Sequence, residues 1–174
     1  LHSYGPATHR EFAQWLAAPL GWAAAVFERA QIEPVEVAPV EAGVGGSESE
    51  TRWVNRGDTG FTDAPAAGIR LLPYFDPYAV GSHPRGVLFP GRAAERALGR
   101  GQAGVFPVVL VDGIVGGVWH LKRSGKRIAV TVEPLVRPGK GQRAQLEECA
   151  ERVGAILEGA AVLTIGEVAV GPHA

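Results

Sequence analysis

The strongest constraint on the fold of this chain comes from residues 106–132, where aliphatic runs alternate with turn signals. Val108–Val111 has the β-branched composition of a strand, and Asp112-Gly113 follows it directly. Both residues of this dipeptide tolerate the positive φ angles of a two-residue type I′ turn. The segment therefore predicts a β-hairpin whose second strand begins at Ile114.

Further turn signals extend this hairpin into a sheet. Gly116-Gly117 indicates a bulge in the second strand, and Ser124-Gly125 predicts another turn before a third strand at residues 127–132. Tight turns join antiparallel neighbours, so the three strands form a meander. Residues 143–158 carry apolar side chains at helical spacing and predict an amphipathic helix. The apolar run 161–170 predicts a final buried strand.

The N-terminal part of the chain predicts two helices and a hairpin. Thr8, followed three residues later by Glu11, matches a capping box at the start of the first helix. A second helix is expected at residues 22–31, and strands are expected at residues 35–40 and 51–55. A winged helix has this order of elements from its second helix onward. A polar segment rich in Gly and Pro, residues 56–68, predicts a linker after it.

Composition narrows the class of protein. The chain is 46% hydrophobic and 20% charged, which is ordinary for a globular protein. No apolar run approaches the roughly 18 residues of a membrane-spanning helix, and without a signal-peptide pattern a cytoplasmic location is the default expectation. The sequence starts at Leu1 and contains no methionine, so we expect a piece of a longer protein. A net charge of −1 argues mildly against strong nonspecific DNA binding.

Several short motifs follow one another in an order that is typical of one family. They are SYGPAT at residues 3–8, LLPYFDPY at 71–78 with His83-Pro84-Arg85, LFPG at 88–91, FPVVLVDG at 106–113 with Gly117-Val118-Trp119, and Val132-Glu133-Pro134. Together they resemble the winged-helix DNA-binding domain proteins whose characterised members include AlkZ-like DNA glycosylases. The resemblance covers most of the chain.

This resemblance implies tandem winged helices followed by a β-barrel, which together wrap duplex DNA. The expected fold class is therefore α+β. It comprises an incomplete winged-helix-like module at residues 1–62 and an antiparallel β-barrel-like domain with a C-terminal amphipathic helix at residues 69–174. In the glycosylases a Gln-x-Gln or Gln-x-Asp motif in the first winged helix carries the chemistry, and it would lie upstream of Leu1. Gln31-Ile32-Glu33 and Gln145-Leu146-Glu147 are interpreted as chance near-matches, so we assign no catalytic residue.

The predicted DNA-binding residues centre on the densest positive charge, which lies at a predicted hairpin tip. They are Lys122, Arg123, Lys126 and Arg127, with His120 beside them. Basic side chains that project from a tip can contact phosphates and release counterions, and the resemblance implies that a barrel hairpin contacts the minor groove. A solvated turn is the alternative interpretation.

His83 and Arg85 complete the predicted set of DNA-binding residues. Arg85 could hold a phosphate with two parallel hydrogen bonds, or it could pair with Asp76 and brace the loop. We favour the bracing role, because no phosphate-binding glycine pattern accompanies these residues.

Other chemistries have weaker support in the sequence. Asp76 and Asp112 are explained by turns. Cys149 has no His or second Cys at ligand spacing, so it is expected to be a buried structural thiol rather than a metal ligand or nucleophile. The five histidines are scattered, and the four tryptophans fit core positions better than a base-stacking platform. We therefore expect neither a metal nor a cofactor.

Three functions remain open at this point. The first is a DNA-binding C-terminal part of a glycosylase-like repair protein that acts on alkylated or crosslinked double-stranded DNA. The second is a non-enzymatic DNA-binding regulator. The third is a protein-interaction scaffold module, which the near-neutral charge suits best.

Overall fold

The computed structural model describes residues 1–38, 49–60, 66–139 and 141–173. The chain divides into two compact units, Leu1–Ala64 with Gly81–Pro84 and Pro65–Val80 with Arg85–Ala174. Residues 39–40 of the first predicted strand and residues 61–65 of the predicted linker lie outside the described part.

The first unit contains the elements that the N-terminal sequence predicts. They are α1 (His9–Trp15), α2 (Leu20–Arg29), β1 (Ile32–Val37) and β2 (Glu50–Asn55). The capping box at the start of α1 is confirmed: the Thr8 N–H donates to Glu11 Oε2 at 2.8 Å, and the Glu11 N–H donates to Thr8 Oγ1 at 3.2 Å. Arg52 Nη1 lies 3.0 Å from the Glu11 carboxylate and compensates its buried charge.

The boundary between α2 and the hairpin differs from the prediction. The helix ends at Arg29, two residues before its predicted end, and Pro34 lies inside β1 opposite Trp53. Trp53 also exchanges two backbone hydrogen bonds with Ala7 on the other side of β2. Because β1 is then an edge strand among the described residues, Pro34 is tolerated there. The order of two helices and a hairpin is as predicted, while the winged-helix assignment itself stays a prediction.

Aromatic rings, rather than aliphatic side chains, hold the first unit together. Phe12 on α1 stacks on Trp22 of α2 with ring centroids 6.1 Å apart, and Phe27 contacts both Phe12 and Trp53. The expectation that every tryptophan occupies a core position is wrong for Trp22, which is 49% exposed.

The second unit is built on a five-stranded sheet in the order β3-β4-β5-β6-β7. Its strands are β3 (Ile69–Leu72), β4 (Val108–Val111), β5 (Ile114–Ser124), β6 (Arg127–Pro134) and β7 (Ala160–Ile165). Its helices are α3 (Pro77–Gly81), α4 (Arg85–Leu88), α5 (Arg92–Ala97) and α6 (Gln142–Ile156).

The predicted meander is confirmed at the level of single residues. Asp112 and Gly113 have φ angles of 51° and 84°, as a type I′ turn requires. The β4–β5 register shifts between Val109 and Leu110, and Gly116 is the extra residue on β5 opposite this step. The two adjacent glycines therefore mark a real bulge.

The last strand corrects the expectation of a purely antiparallel domain. β7 pairs with β6 in parallel, because α6 intervenes and carries the chain back to the starting end of the sheet. The described residues form an open sheet with β3 and β7 at its edges, so barrel closure is not confirmed. The chain is a mixed α and β fold with two sheets.

Each face of this sheet has its own core. One core lies between the sheet and α6, where Leu146 and Ala150 pack with buried strand residues such as Val130. The other lies between the opposite face and the short helices, with Phe89, Ala93 and Ala97 among its buried residues. The second core reaches Val118 on β5 and stops short of the outer half of the β5–β6 hairpin.

Candidate nucleic-acid interface

The predicted basic tip is the exposed end of the long β5–β6 hairpin. The ladder runs from Gly117 opposite Pro134 to Ser124 opposite Arg127. Residues 122–127 are all exposed, whereas residues 115–119 of the same strand are buried. On the face of the short helices the hairpin therefore extends past the core and presents its basic end to solvent, whereas on the α6 face Ile128, opposite Arg123, is still buried.

The basic residues of the hairpin divide between two faces and the turn. Residues paired across two strands lie on the same face of a sheet. Lys122 opposite Ala129 and Arg127 opposite Ser124 share one face with His120, while Arg123 opposite Ile128 lies on the other. The Arg123 Nε–H donates to the carbonyl oxygen of Gly125 at 2.9 Å, which holds that side chain against the turn.

The hairpin end carries an excess of positive charge. Four cations lie within six consecutive positions, 122–127. No ion pair within the described residues involves Lys122, Arg123, Lys126 or Arg127. This local positive charge stands against a net charge of −1 for the whole chain.

The face that carries Lys122 and Arg127 continues across β6 onto β7. Three rows of paired residues form it, and we call these nine residues the open face. The rows are His120, Thr131 and Thr164; Lys122, Ala129 and Val162; and Ser124, Arg127 and Ala160. His120 and Thr131 are half-buried, and the other seven are exposed.

The open face ends at an ion pair on the next row of β6. Glu133 accepts hydrogen bonds from Arg96 Nε at 3.0 Å, from Arg96 Nη2 at 2.9 Å and from the Val168 N–H at 2.9 Å. The hydrogen bonds from Arg96, opposed by desolvation, hold the pKa of the Glu133 carboxyl below its usual value. This carboxylate is therefore neutralised where the α5 helix covers the sheet.

The two other predicted DNA-binding residues lie outside the hairpin. Arg85 begins α4, and its Nη1 and Nη2 donate to the carbonyl oxygens of Ala79 and Val80 at 2.7 and 2.8 Å. These carbonyls belong to the last turn of α3, so the guanidinium caps a helix end, which supports the bracing role. Burial lowers the pKa of the Arg85 guanidinium. His83 is half-buried next to Pro84, and its DNA-binding role stays a prediction.

The remaining candidate groups have structural partners. Asp112 Oδ1 accepts from the Gly68 N–H at 2.7 Å, and Asp76 Oδ1 accepts from the Tyr78 N–H at 2.9 Å. Cys149 Sγ lies 3.6 Å from the Ile69 carbonyl oxygen, and burial raises the pKa of its thiol. Within the described ranges no group of three or more His, Cys, Asp or Glu could hold a metal ion, and no helix has the length and apolarity to cross a membrane.

Comparison with known proteins identifies the family of this chain. A family model described as "AlkZ-like: DNA glycosylase AlkZ-like" matches residues 1–156. The chain belongs to this AlkZ-like family. Its fold is similar to that of the DNA glycosylase AlkZ of Streptomyces sahachiroi, with a TM-score of 0.61 and 24% sequence identity. The similarity covers 93% of this chain and 42% of that chain, so the AlkZ-like chain spans about two fifths of that protein. No curated protein matches the chain.

The part of the open face that lies beyond the hairpin end was not predicted from the sequence. Thr131, Thr164 and Val162 carry no charge, and β7 lies after the last residue that the family model matches. The antiparallel register of β5 with β6 brings Thr131 onto the face of Lys122, and only the parallel register of β6 with β7 brings Val162 and Thr164 there. The sequence predicted a buried strand at 161–170, whereas Val162 and Thr164 are exposed, so no signal in the sequence indicated this surface.

Proposed function

We propose that this chain is a DNA-binding part of a glycosylase-like repair protein that acts on alkylated or crosslinked duplex DNA. In this proposal the β5–β6 hairpin contacts phosphates, residues 1–62 form a winged-helix-like module and residues 69–174 form the second domain. The sequence contains no Gln-x-Gln or Gln-x-Asp motif. In this proposal the chain therefore binds DNA and recognises its shape but does not carry out catalysis.

The observation that carries the proposal is the unopposed charge of the exposed hairpin end in an AlkZ-like chain. Lys and Arg side chains that neutralise phosphates release condensed counterions, and this entropy drives binding. Lys122, Lys126 and Arg127 have no carboxylate partner among the described residues, so DNA would not have to displace one. Membership of the AlkZ-like family makes duplex DNA the polyanion that such a site would meet.

The test is fluorescence anisotropy of the chain with a short labelled duplex across a range of salt concentrations. Simultaneous replacement of Lys122, Arg123, Lys126 and Arg127 by Glu should abolish binding, because it reverses the charge of the hairpin end. Neutralising the same four positions with Gln should reduce the slope of log K against log salt by about 3 to 4, if each contacts one phosphate.

A matched control keeps the same change of net charge elsewhere on the second unit. Arg100, Arg137, Arg143 and Arg152 are exposed, and replacing all four by Glu should leave most of the hairpin-dependent affinity in place. Equal losses in both quadruple variants would contradict the hairpin site. A folded wild-type chain that does not bind duplex even at low salt would contradict the DNA function and favour the scaffold alternative. Preference for an undamaged sequence, with no base release by the intact protein, would favour the regulator.

A further inference from the structure

The open face is a strand surface that neither core of the second unit covers. Val118 on β5 belongs to the core beneath the short helices, but seven of the nine residues further along the same face are exposed. On β7, Val162 is 58% exposed. Same-face residues are spaced about 6.6 Å along a strand, and neighbouring strands lie about 4.8 Å apart, so three rows on three strands span roughly 13 by 10 Å.

The chemical character of the open face identifies the kind of partner it fits. Two of its side chains are cationic, namely Lys122 and Arg127, His120 carries an imidazole ring, and three carry hydroxyls, namely Ser124, Thr131 and Thr164. The remaining three are Ala or Val, and none is a carboxylate. Lys, Arg, Ser and Thr are among the side chains that contact DNA phosphates and sugars. Small residues between them would leave room for the sugar–phosphate backbone of DNA to approach the sheet closely.

The carboxylate that borders the face on β6 is compatible with the same partner. Glu133 would be the nearest carboxylate along β6, and Arg96 already neutralises it through two hydrogen bonds. A protein partner selected by apolar contact would require a larger apolar surface than Ala129, Ala160 and Val162 provide. A polyanion would be attracted by the cations and could accept hydrogen bonds from hydroxyl groups within two rows of them.

We propose that the open face is a docking surface for the sugar–phosphate backbone of duplex DNA, which continues from the hairpin end across β6 to β7. The inference rests on the proposed function and adds a path for the DNA that the basic tip alone does not define. It assigns contacts to Thr131, Thr164 and the backbone around Val162, and β7 lies beyond the residues that the family model matches.

The experiment changes charge at Val162, the exposed apolar residue in the middle row. Anisotropy with a short fluorescein-labelled duplex is measured at about 0.15 M salt, where exposed charges are screened beyond about 8 Å. Val162→Lys should tighten binding about fivefold and Val162→Glu should weaken it about fivefold, as expected for one exposed charge within about 4 Å of a phosphate. The Lys variant should also steepen the salt slope by about 0.9.

Ile156 provides the matched control. It is 71% exposed and lies on α6, the helix that packs against the opposite face of the sheet. Ile156→Lys and Ile156→Glu make the same changes in net charge and should alter the affinity less than twofold at this salt concentration. Since Val162→Lys is expected to improve binding, a loss of folding cannot produce the expected result.

The outcomes separate this inference from the proposed function. If the hairpin quadruple-Glu variant loses binding while the two Val162 variants behave like the Ile156 pair, the tip binds DNA and the open face does not. That result overturns the present inference alone. If the folded wild-type chain does not bind duplex, the proposed function fails and the open-face contact fails with it. Opposite and comparable shifts in the two Val162 variants, absent at Ile156, support the path across β7.

Discussion

The two faces of the β5–β6–β7 part of the sheet are built from the same strands but differ in burial and in side-chain type. On β6, Ile128, Val130 and Val132 point to the α6 side and are almost fully buried. The residues between them, Ala129 and Thr131, belong to the open face, where Ala129 is exposed. Strand alternation thus divides one segment into a core side and a solvent side. On β6 the core side is aliphatic, while the open face mixes cations, hydroxyls and small residues.

The largest expected effect lies on the core side. Leu146 is 2% exposed and packs between α6 and the sheet. Leu146→Ala removes buried methyl groups and leaves a cavity, so we expect the free energy of unfolding to fall by about 2–5 kcal/mol. Urea denaturation followed by circular dichroism measures this. A loss below about 1 kcal/mol would mean that α6 is weakly packed and that the two faces differ less than their burial indicates.

A loss of stability of intermediate size is expected at Glu133, where the α5 helix covers the sheet at the end of the open face. Glu133→Gln keeps the size of the side chain but removes the charge that Arg96 and the Val168 N–H bind. Hydrogen bonds to charged groups are stabilising, so the variant should be about 1–3 kcal/mol less stable at pH 7. Glu147→Gln, at an exposed ion pair with Arg143, is the control and should cost at most about 0.5 kcal/mol.

The pH dependence of the Glu133 effect follows from the direction of its pKa shift. The pKa of Glu133 is lowered in the folded chain, so the folded state binds its proton less readily than the unfolded state does. The stabilisation is therefore complete above the unfolded pKa of about 4.3 and is lost as the pH falls through the lower, folded pKa. Wild type and Glu133→Gln should differ fully at neutral pH and progressively less in acid. A constant difference down to strongly acidic pH would contradict the ion pair.

Local signals in the sequence predicted local structure well. The capping box of α1, the Asp112-Gly113 turn and the bulge at Gly116 each depend on a few adjacent residues, and each is present. The short helices α3 and α4, with five and four residues, went undetected. One turn of helix is too short for a periodic apolar pattern to appear.

Nonlocal features were harder to predict, and the candidate site depends on them. The basic hairpin end is one continuous segment, so composition and a turn signal located it. The open face needs Thr131 beside Thr164, a pairing fixed by the parallel register of β6 and β7 across the intervening α6. Side-chain type at either position carries no information about this register. The antiparallel expectation for β7 failed for the same reason.

The smallest expected effect tests the solvent side with adjacent residues of one strand. Ala129 is exposed on the open face, and Val130 next to it is fully buried. Ala129→Thr should change the free energy of unfolding by no more than about 0.5 kcal/mol, with a tendency to stabilise, because Thr is favoured in strands. Val130→Thr places the same side chain in the core and should cost about 1–3 kcal/mol, since its hydroxyl loses water. Urea denaturation of the two variants gives both values. If Ala129→Thr proved as costly as Val130→Thr, Ala129 would have to be packed against other residues. The open face would then not be a solvent-exposed face, and the contrast between the two sides of β6 would be wrong.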